Sequence, residues 1–362
     1  MTDIDDISDK LKKVQLGQYF TTYSEYILQD LNIPSNVKTI VEPFAGNKDL
    51  LKKFNLNNYT TEYYDIDPKH PDIIKQDTLL NPLNLDNKFI ITNPPYLARN
   101  KSSSKKLFDK YNVNDLYKCF ISQIINSKCL GGILVIPLNF WCSIRLSDIL
   151  LRSKFVAKYN IVQLNIFEEQ VFDDTTYTIC AFQFETKIET QPILITIYPI
   201  NKKMNVILNE ECSYSIGGNI YNLNLSNKYK ITRATNKNKN NLNTHIKVKC
   251  IDDNIDNKIA LSFVENKDEL YIDKTPKLSS RTYASLIIEP SIDLEQQKKL
   301  IKYFNQVLNN HRIKYHSLFL TNYRESKDIA RKRISFDLVY SLCSFILEKF
   351  LENNYEIETY LQ

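Results

Sequence analysis

The apolar residues of the first half of the chain come in short blocks, and the spacing inside the blocks alternates. Lys38 to Glu42 (KTIVE), Tyr59 to Asp65 (YTTEYYD) and Lys88 to Thr92 (KFIIT) are brief apolar, β-branched or aromatic runs that predict strands. Asp49 to Phe54, Asn114 to Cys129 and Leu146 to Lys154 carry helical spacing. Gly132 to Pro137 (GILVIP) is apolar throughout, as a strand covered on both faces is. Ile161 to Phe167 and Tyr177 to Phe184 predict a closing antiparallel pair. Strand and helix in repetition predict an α/β domain with a mostly parallel sheet. In such sheets ligands bind beyond the C-terminal ends of the strands.

After about Thr190 the pattern changes. Strand-like pieces (Ile193 to Tyr198, Ile246 to Cys250, Ala284 to Ile288) are separated by polar tracts, and NKNKNN at 236–241 predicts a loop. Leu294 to Asn310 and Ser326 to Leu351 are helical in period. We therefore expect two domains, 1–190 and 191–362, the second smaller and α+β.

Charge sharpens that division. Of a net charge of +5, residues 1–190 hold 22 basic and 23 acidic side chains, and residues 191–362 hold 25 and 19. Between Cys212 and Ile251 there are seven basic residues and no acidic one. A neutral first half and a basic second half suit a catalytic domain joined to a polyanion-binding one, or else a solvated surface in an Asn- and Lys-rich chain. The longest apolar run, Gly131 to Trp141, is too short to span a bilayer. Seven cysteines without a CxxC pair argue against a disulfide framework or a zinc ribbon, and the polar N-terminus does not read as a signal peptide. These features predict a cytoplasmic setting, or that of the genome the protein acts on. His70, His245, His311 and His316 are scattered, so no metal site is expected.

The chemistry gathers at strand ends. Asn93-Pro94-Pro95-Tyr96 follows KFIIT directly. Two prolines fix an extended backbone and remove two N–H donors. The Asn93 side-chain oxygen and the Pro94 carbonyl remain as acceptors, able to hold both hydrogens of an exocyclic amine. Tyr96 offers a ring for stacking; a plain Pro-Pro turn with a core tyrosine is the other reading. Upstream, Val41-Glu42-Pro43-Phe44-Ala45-Gly46 places one of only six glycines where a strand turns sharply. Roughly 20 residues on, the second strand ends in Asp65-Ile66-Asp67, where nucleotide-binding folds carry an acidic residue for a ribose diol. Asp77 follows a third short strand, and its carboxylate can accept from an adenine amino group. Ahead of these, Gly17-Gln18-Tyr19-Phe20-Thr21 supplies rings for a cation and a hydroxyl.

This ordered set (GQYFT, EPFAG, DID, NPPY, then a C-terminal domain) resembles the S-adenosylmethionine-dependent N6-adenine DNA methyltransferases of restriction-modification systems, in particular their gamma class. The resemblance covers roughly residues 14–185. It implies a Rossmann-like methyltransferase domain, with S-adenosylmethionine held by Tyr19, Phe20, Thr21, Glu42, Phe44, Gly46, Asp65, Ile66, Asp77 and Asn93. It implies that Asn93, Pro94 and Tyr96 hold the target adenine, with Phe172 of Gln170-Val171-Phe172-Asp173-Asp174 on its other face. Two departures stand out. Lys48 occupies a place where the family often has a second glycine, so its side chain points away from the methionine moiety or the cofactor is held differently. Asp65 stands where many relatives have Glu.

The implied reaction is an in-line displacement at a neutral amine, which needs orientation and polarisation rather than a strong base. A duplex buries adenine N6, so the base has to be flipped out. Double-stranded DNA is then the partner, with a monomeric enzyme, no membrane association and a separately acting cognate endonuclease. Arg99 to Lys110, with Arg99, Lys101, Lys105 and Lys106, reads as a lid on phosphate or as a solvated loop. Arg324, Arg331, Lys332 and Arg333 form a basic cluster at an expected helix start, which serves as a phosphate clamp, a base reader or a charged helix face. NPPY also occurs in enzymes that methylate glutamine amides of translation release factors, and RNA adenine methylation shares the chemistry. A catalytically dead DNA-binding module is the reading from another class.

Overall fold

The computed structural model describes residues 23–172, 177–226, 228–252, 258–273, 282–322, 332–352 and 356–357. Two compact units divide at Glu210/Glu211.

The first unit opens with a short helix α1 (Ser24–Ile27). Its strands are β1 (Thr39–Glu42), β2 (Thr60–Asp65), β3 (Ile74–Lys75), β4 (Phe89–Thr92), β5 (Gly131–Pro137), β6 (Tyr159–Phe167), β7 (Ile179–Thr186), β8 (Ile193–Tyr198) and β9 (Lys202–Val206). They form one sheet in the order β3-β2-β1-β4-β5-β7-β6-β8-β9. Strands β3 to β5 pair in parallel, β7 runs antiparallel between β5 and β6, and β8 returns parallel to β6. This is the Rossmann-like, mostly parallel α/β sheet the pattern predicts. The chain order reverses between β1 and β4, which sets a crevice at the C-terminal ends of these strands.

β4 and β5 are buried at every position, as their unbroken apolar runs require. A Cβ on Gly131 (φ 151°) would lie 2.4 Å from the Phe184 carbonyl oxygen, so only glycine lets β7 approach there. Helices α2 (Lys106–Tyr111), α3 (Leu116–Asn126) and α4 (Leu146–Lys158) lie between strands β4 and β6 in the chain. The helix expected over Asp49 to Phe54 is only a 3-10 turn, Leu50–Lys53.

The boundary lies later than 190. Ile193 to Tyr198 belongs to the first sheet: β8 pairs with β6 from Gln163/Leu194 to Phe167/Tyr198, and β9 extends it. Strand-like composition marked β8 correctly but did not reveal which sheet it joins.

The second unit is α+β. Strands β10 (Lys230–Arg233), β11 (Ile246–Lys249), β12 (Ala260–Phe263) and β13 (Tyr283–Glu289) form an antiparallel sheet, order β10-β13-β11-β12. Helices α5 (Leu294–Tyr315) and α6 (Phe336–Ile346) share its core with Leu286, Ile288, Leu300, Phe304, Leu338 and Leu342. Asp293 and Gln296 form a reciprocal cap that starts α5. Lys332 and Arg333 do not open a helix. They form a two-residue strand, β15 (Lys332–Arg333), against β14 (Thr321–Asn322), and Ser335 caps α6 after it. The reason is backbone pairing: Asp252 N–H donates to Lys332 O, and Ile334 N–H to Cys250 O. Among the described residues no helix is long and apolar enough to cross a membrane.

Candidate active site

The ends of β1, β2 and β4, the turn after β3 and the loop after β4 enclose a cleft of about 490 Å³. Glu42, Phe44, Gly46, Asp65, Ile66, Asp77, Asn93 and Lys106 line it. The structure thus brings most of the expected cofactor residues to one place. Tyr19, Phe20 and Thr21 lie outside the described residues, as do Arg324, Arg331 and the Asp173-Asp174 pair.

Backbone hydrogen bonds show how the sequence builds the cleft. Gly46 turns the chain with φ 49°, and its N–H donates to Asp65 Oδ2 at 2.9 Å. Asp65 Oδ1 accepts from the Asp67 N–H at 2.8 Å. The carboxylate at the end of β2 therefore fixes the exit from β1, and each oxygen keeps a second lone pair for a hydroxyl in the cleft. Asp77 Oδ1 accepts from the N–H groups of Leu79 and Leu80, both at 3.1 Å. The Thr78 hydroxyl donates to Pro43 O at 3.1 Å, tying that turn to the exit from β1. Ile66 and Leu80 are 40% and 62% exposed on the cleft wall, an apolar slot beside carboxylates that suits a planar heterocycle with polar edges.

Lys48 has φ 62°, and its ammonium pairs with Asp72 and sits 3.9 Å from the centroid of Tyr63. It turns away from the cleft, the first of the two arrangements open to a side chain at this position.

Glu42 is the most informative side chain. It is buried, and its Oε2 has no hydrogen-bond partner among the described residues. Burial pushes its carboxyl well above the ordinary carboxylate range, an effect Lys48 opposes in part. A carboxyl with an unpartnered oxygen in a cleft wall can pair with a cationic ligand.

The segment after NPPY is a closed loop. Ala98 pairs with Asp115, Arg99 N–H donates to Asn114 O at 2.9 Å, and Leu116 N–H donates to Leu97 O at 3.2 Å. Ser102, Ser103, Ser104, Lys106, Leu107 and Phe108 from this loop line the cleft. Arg99 pairs with Asp109 at 2.8 Å, and the Lys105 ammonium donates to the carbonyls of Arg99 and Ser102. Lys101 is exposed and off the cleft. The expected phosphate contact thus has two of its cations held inside the loop. Sequence reasoning missed Leu107 and Phe108 as cleft residues; their apolar pair inside a basic, Ser-rich stretch was the available signal.

Asn93 reaches the cleft, whereas Pro94 is buried off it and Pro95 lines it instead. Tyr96 and Phe172 are each 2% exposed and do not line the cleft. Tyr96 packs against its neighbours, and its hydroxyl also reaches Asn93 Oδ1. Its hydroxyl donates to Val135 O at 2.8 Å and draws the phenol inward, and Tyr117 packs edge-on at 6.0 Å.

Behind the loop, the Lys118 ammonium contacts Asp148 at 2.6 Å and Asn114 Oδ1 at 2.7 Å. Burial pushes Asp115 up to about 6 against the pull of Lys118, and burial lowers Lys118. The two histidines of the second unit with described ring contacts are structural. His245 Nδ1 meets Val264 O at 2.8 Å, and His311 Nε2 meets Gly217 O at 2.7 Å, with burial lowering His311 to about 4. Among the described residues no group of three or more His, Cys, Asp or Glu is placed to hold a metal ion.

Residues 2–172 match the family described as Eco57I restriction-modification methylase. The resemblance read from the motifs is borne out over that stretch. No curated protein matches the chain. Among solved structures, a modification subunit of a putative type I restriction enzyme from Vibrio vulnificus is 12% identical, with 55% of this chain and 52% of that one covered and a TM-score of 0.41. A putative class I S-adenosylmethionine-dependent methyltransferase from Listeria monocytogenes is 14% identical, with 52% and 64% covered and a TM-score of 0.36. A type I restriction-modification methyltransferase subunit from Streptococcus thermophilus is 13% identical, with 52% and 48% covered and a TM-score of 0.36. The chain spans about half the length of the first of these, and less than two thirds of each.

Proposed function

We propose that this chain is a DNA methyltransferase that uses S-adenosylmethionine to methylate the exocyclic amine of adenine in duplex DNA, as the modification activity of a restriction-modification system. One observation carries the reading. Asn93, rigidly placed by two prolines at the end of β4, opens into the same cleft as the carboxylates of Glu42, Asp65 and Asp77.

The residues fit the cofactor chemically. Glu42, with an unpartnered buried oxygen, suits a cationic methionine moiety. Asp65 suits a ribose diol, Asp77 an adenine amino group, and Ile66, Leu80, Leu107 and Phe108 the faces of the adenine ring. When bound, S-adenosylmethionine supplies the methyl group. The chain's own residues do the rest. The loop 97–116 covers the cleft and excludes water. Asn93 Oδ1 and the Pro94 carbonyl accept the two amine hydrogens and concentrate electron density on N6, an electrostatic effect of fixed dipoles. The target base is flipped into reach, at a cost of a few kcal/mol that contacts in the site have to offset. The second unit supplies target recognition, with Lys332 and Arg333 as phosphate or base contacts. The reading also carries a monomer, with a separate cognate endonuclease, working in the cytoplasm or wherever the modified genome resides.

The experiment is transfer of labelled methyl groups to duplex DNA free of N6-methyladenine, followed by nucleoside chromatography. N6-methyldeoxyadenosine is expected. Label on RNA, on a protein amide, or nowhere would overturn the reading.

A further inference from the structure

Strand β10 carries an arginine where its pattern calls for an apolar side chain. Ile231 and Arg233 share one face of the strand and lie opposite Ile288 and Leu286, both fully buried. Arg233 thus ends a core-facing row, its stem inside and its head at the rim. The guanidinium lies over the Phe336 ring, 4.6 Å from the centroid, and Tyr340 stacks on Phe336 at 6.0 Å and 19°. Asp273 stands 3.5 Å from the guanidinium. Asp273 is buried, and both of its carboxylate oxygens lack a hydrogen-bond partner among the described residues, so Arg233 is its counter-ion. The Arg233 side chain is still 22% exposed. A ring and a buried carboxylate hold it in one direction, and its five N–H groups have no protein acceptor within hydrogen-bonding distance among the described residues. The surroundings are cationic. Arg233 and Arg333 both pull down the Cys250 thiol against the burial that raises it, so β10 and β15 bring their arginines to one place. The Asp252 carboxylate beside β15 is taken by Arg312 at 2.8 and 2.9 Å. Arg233 also lies in the stretch from Cys212 to Ile251 that has no acidic residue.

We propose that Arg233 reads a guanine of the recognition sequence, donating to its O6 and N7 in the major groove, and that Asp273 is the positioning residue that aims the guanidinium. This rests on the methyltransferase reading above. A phosphate can be met by a mobile cation from many directions, whereas a base edge has to be met in one plane. Two fixed supports suit the second task, because the freedom a bound arginine gives up is already lost in the free protein. Guanine presents two acceptors side by side, which the planar fork of a guanidinium matches and an ammonium does not.

The test treats a library of duplexes of random sequence with the full chain and S-adenosylmethionine, then maps N6-methyladenine by sequencing. The wild type is expected to require a G·C pair at one or more positions. Arg233→Lys keeps the charge and loses the fork. It is expected to lower the preference for G·C at one such position about tenfold or more, with the other positions read as before. Asp273→Asn keeps the size and removes the charge, and is expected to relax that same position about threefold or more. Arg233→Met keeps the stem over Phe336 without donors, and gives the same reading should the lysine variant fail to fold. Cofactor calorimetry establishes that each variant is folded. An unchanged site preference, with only a lower melting temperature, marks a structural ion pair and overturns the proposal. So does a loss spread evenly over all sequences, as from a phosphate contact, or a recognition site without a G·C pair. If the wild type transfers no methyl group to any duplex, the underlying reading fails instead.

Discussion

The Asp65 carboxylate accepts the Gly46 N–H at 2.9 Å across 19 residues of sequence, so the end of β2 sets the conformation of the turn leaving β1. Asp65→Ala therefore removes two things, a group facing the cofactor cleft and the clamp on its floor. S-adenosylmethionine affinity should fall by about 1–3 kcal/mol, measured by calorimetry. Asp65→Asn should be nearly as damaging, because one end of the amide would point a donor at a backbone N–H. An Asn variant that binds like wild type would show that the clamp has no bearing on the site.

Glu42 gives a pH-dependent signature. Its folded value is raised by burial, so its contribution to stability is fully present at low pH and is lost as pH rises from the ordinary carboxylate range through the folded value. A cation bound beside it favours the ionised form. Cofactor affinity should therefore strengthen with rising pH, with proton uptake by buffers of different ionisation enthalpy as the readout. Glu42→Gln should raise the melting temperature of the free protein at neutral pH and weaken the cofactor roughly tenfold, a loss of about 1.4 kcal/mol.

Asn93→Ala removes one of two acceptors for the amine. We expect kcat to fall about 10²-fold or more, as for loss of one fixed transition-state dipole, with cofactor affinity nearly intact. Wild-type turnover in this variant would remove Asn93 from the chemistry.

Asp115 sits at the base of the loop over the cleft, raised to about 6 from an ordinary 3.8, with its Oδ1 unpartnered. Stability from this group is complete below about pH 4 and lost as pH rises through about 6. Asp115→Asn can place nitrogen at the unpartnered position and keep an oxygen for the N–H groups of Leu97, Leu116 and Tyr117. At pH 7 it should stabilise the protein by up to about 3 kcal/mol, reduced by the lost attraction to Lys118. Denaturant titrations at pH 5 and pH 7.5 should show the gap between variant and wild type widen at the higher pH.

For the second unit, Arg331→Ala with Lys332→Ala should weaken DNA binding without touching cofactor affinity. If both side chains meet phosphate, the slope of log K against log salt should flatten by about 1 per lost contact, equally for all sequences. Unchanged binding and unchanged slope would leave these cations as a solvated surface.

The cleft was legible because its chemistry sits at strand ends, and strand ends are where short apolar runs meet Gly, Pro and Asp. Glu42, Gly46, Asp65, Asp77 and Asn93 each follow from that rule, and all five line one cavity. Tyr96 was not legible in the same way. A tyrosine after Pro-Pro has the same sequence whether its ring faces a ligand or the core, and the choice depends on Val135 O, a backbone atom of another strand. Arg99 and Lys105 read as free cations, yet Asp109 and the loop's own carbonyls take them, and such local pairing leaves no periodic trace. The strands β10 and β12 were missed because four residues in a polar setting carry too little apolar alternation to stand out. The early end of the first domain was assigned from a change in composition, whereas membership of a sheet is fixed by hydrogen-bond partners.

That last difference matters to anyone who cuts the chain. A fragment ending at 190 would delete β8 and β9 and leave β6 with bare N–H and C=O groups along Gln163 to Phe167. Ile195 and Ile197, now buried, would no longer cover their side of the sheet. An uncovered strand with an apolar face is a template for pairing with another copy, so such a fragment should precipitate or assemble into aggregates. Ending at 210 retains both strands and their mutual pairing, including the terminal Ile193/Val206 register. The twenty residues between the two cuts thus act as a built-in protector of the sheet's edge, whatever the second unit does.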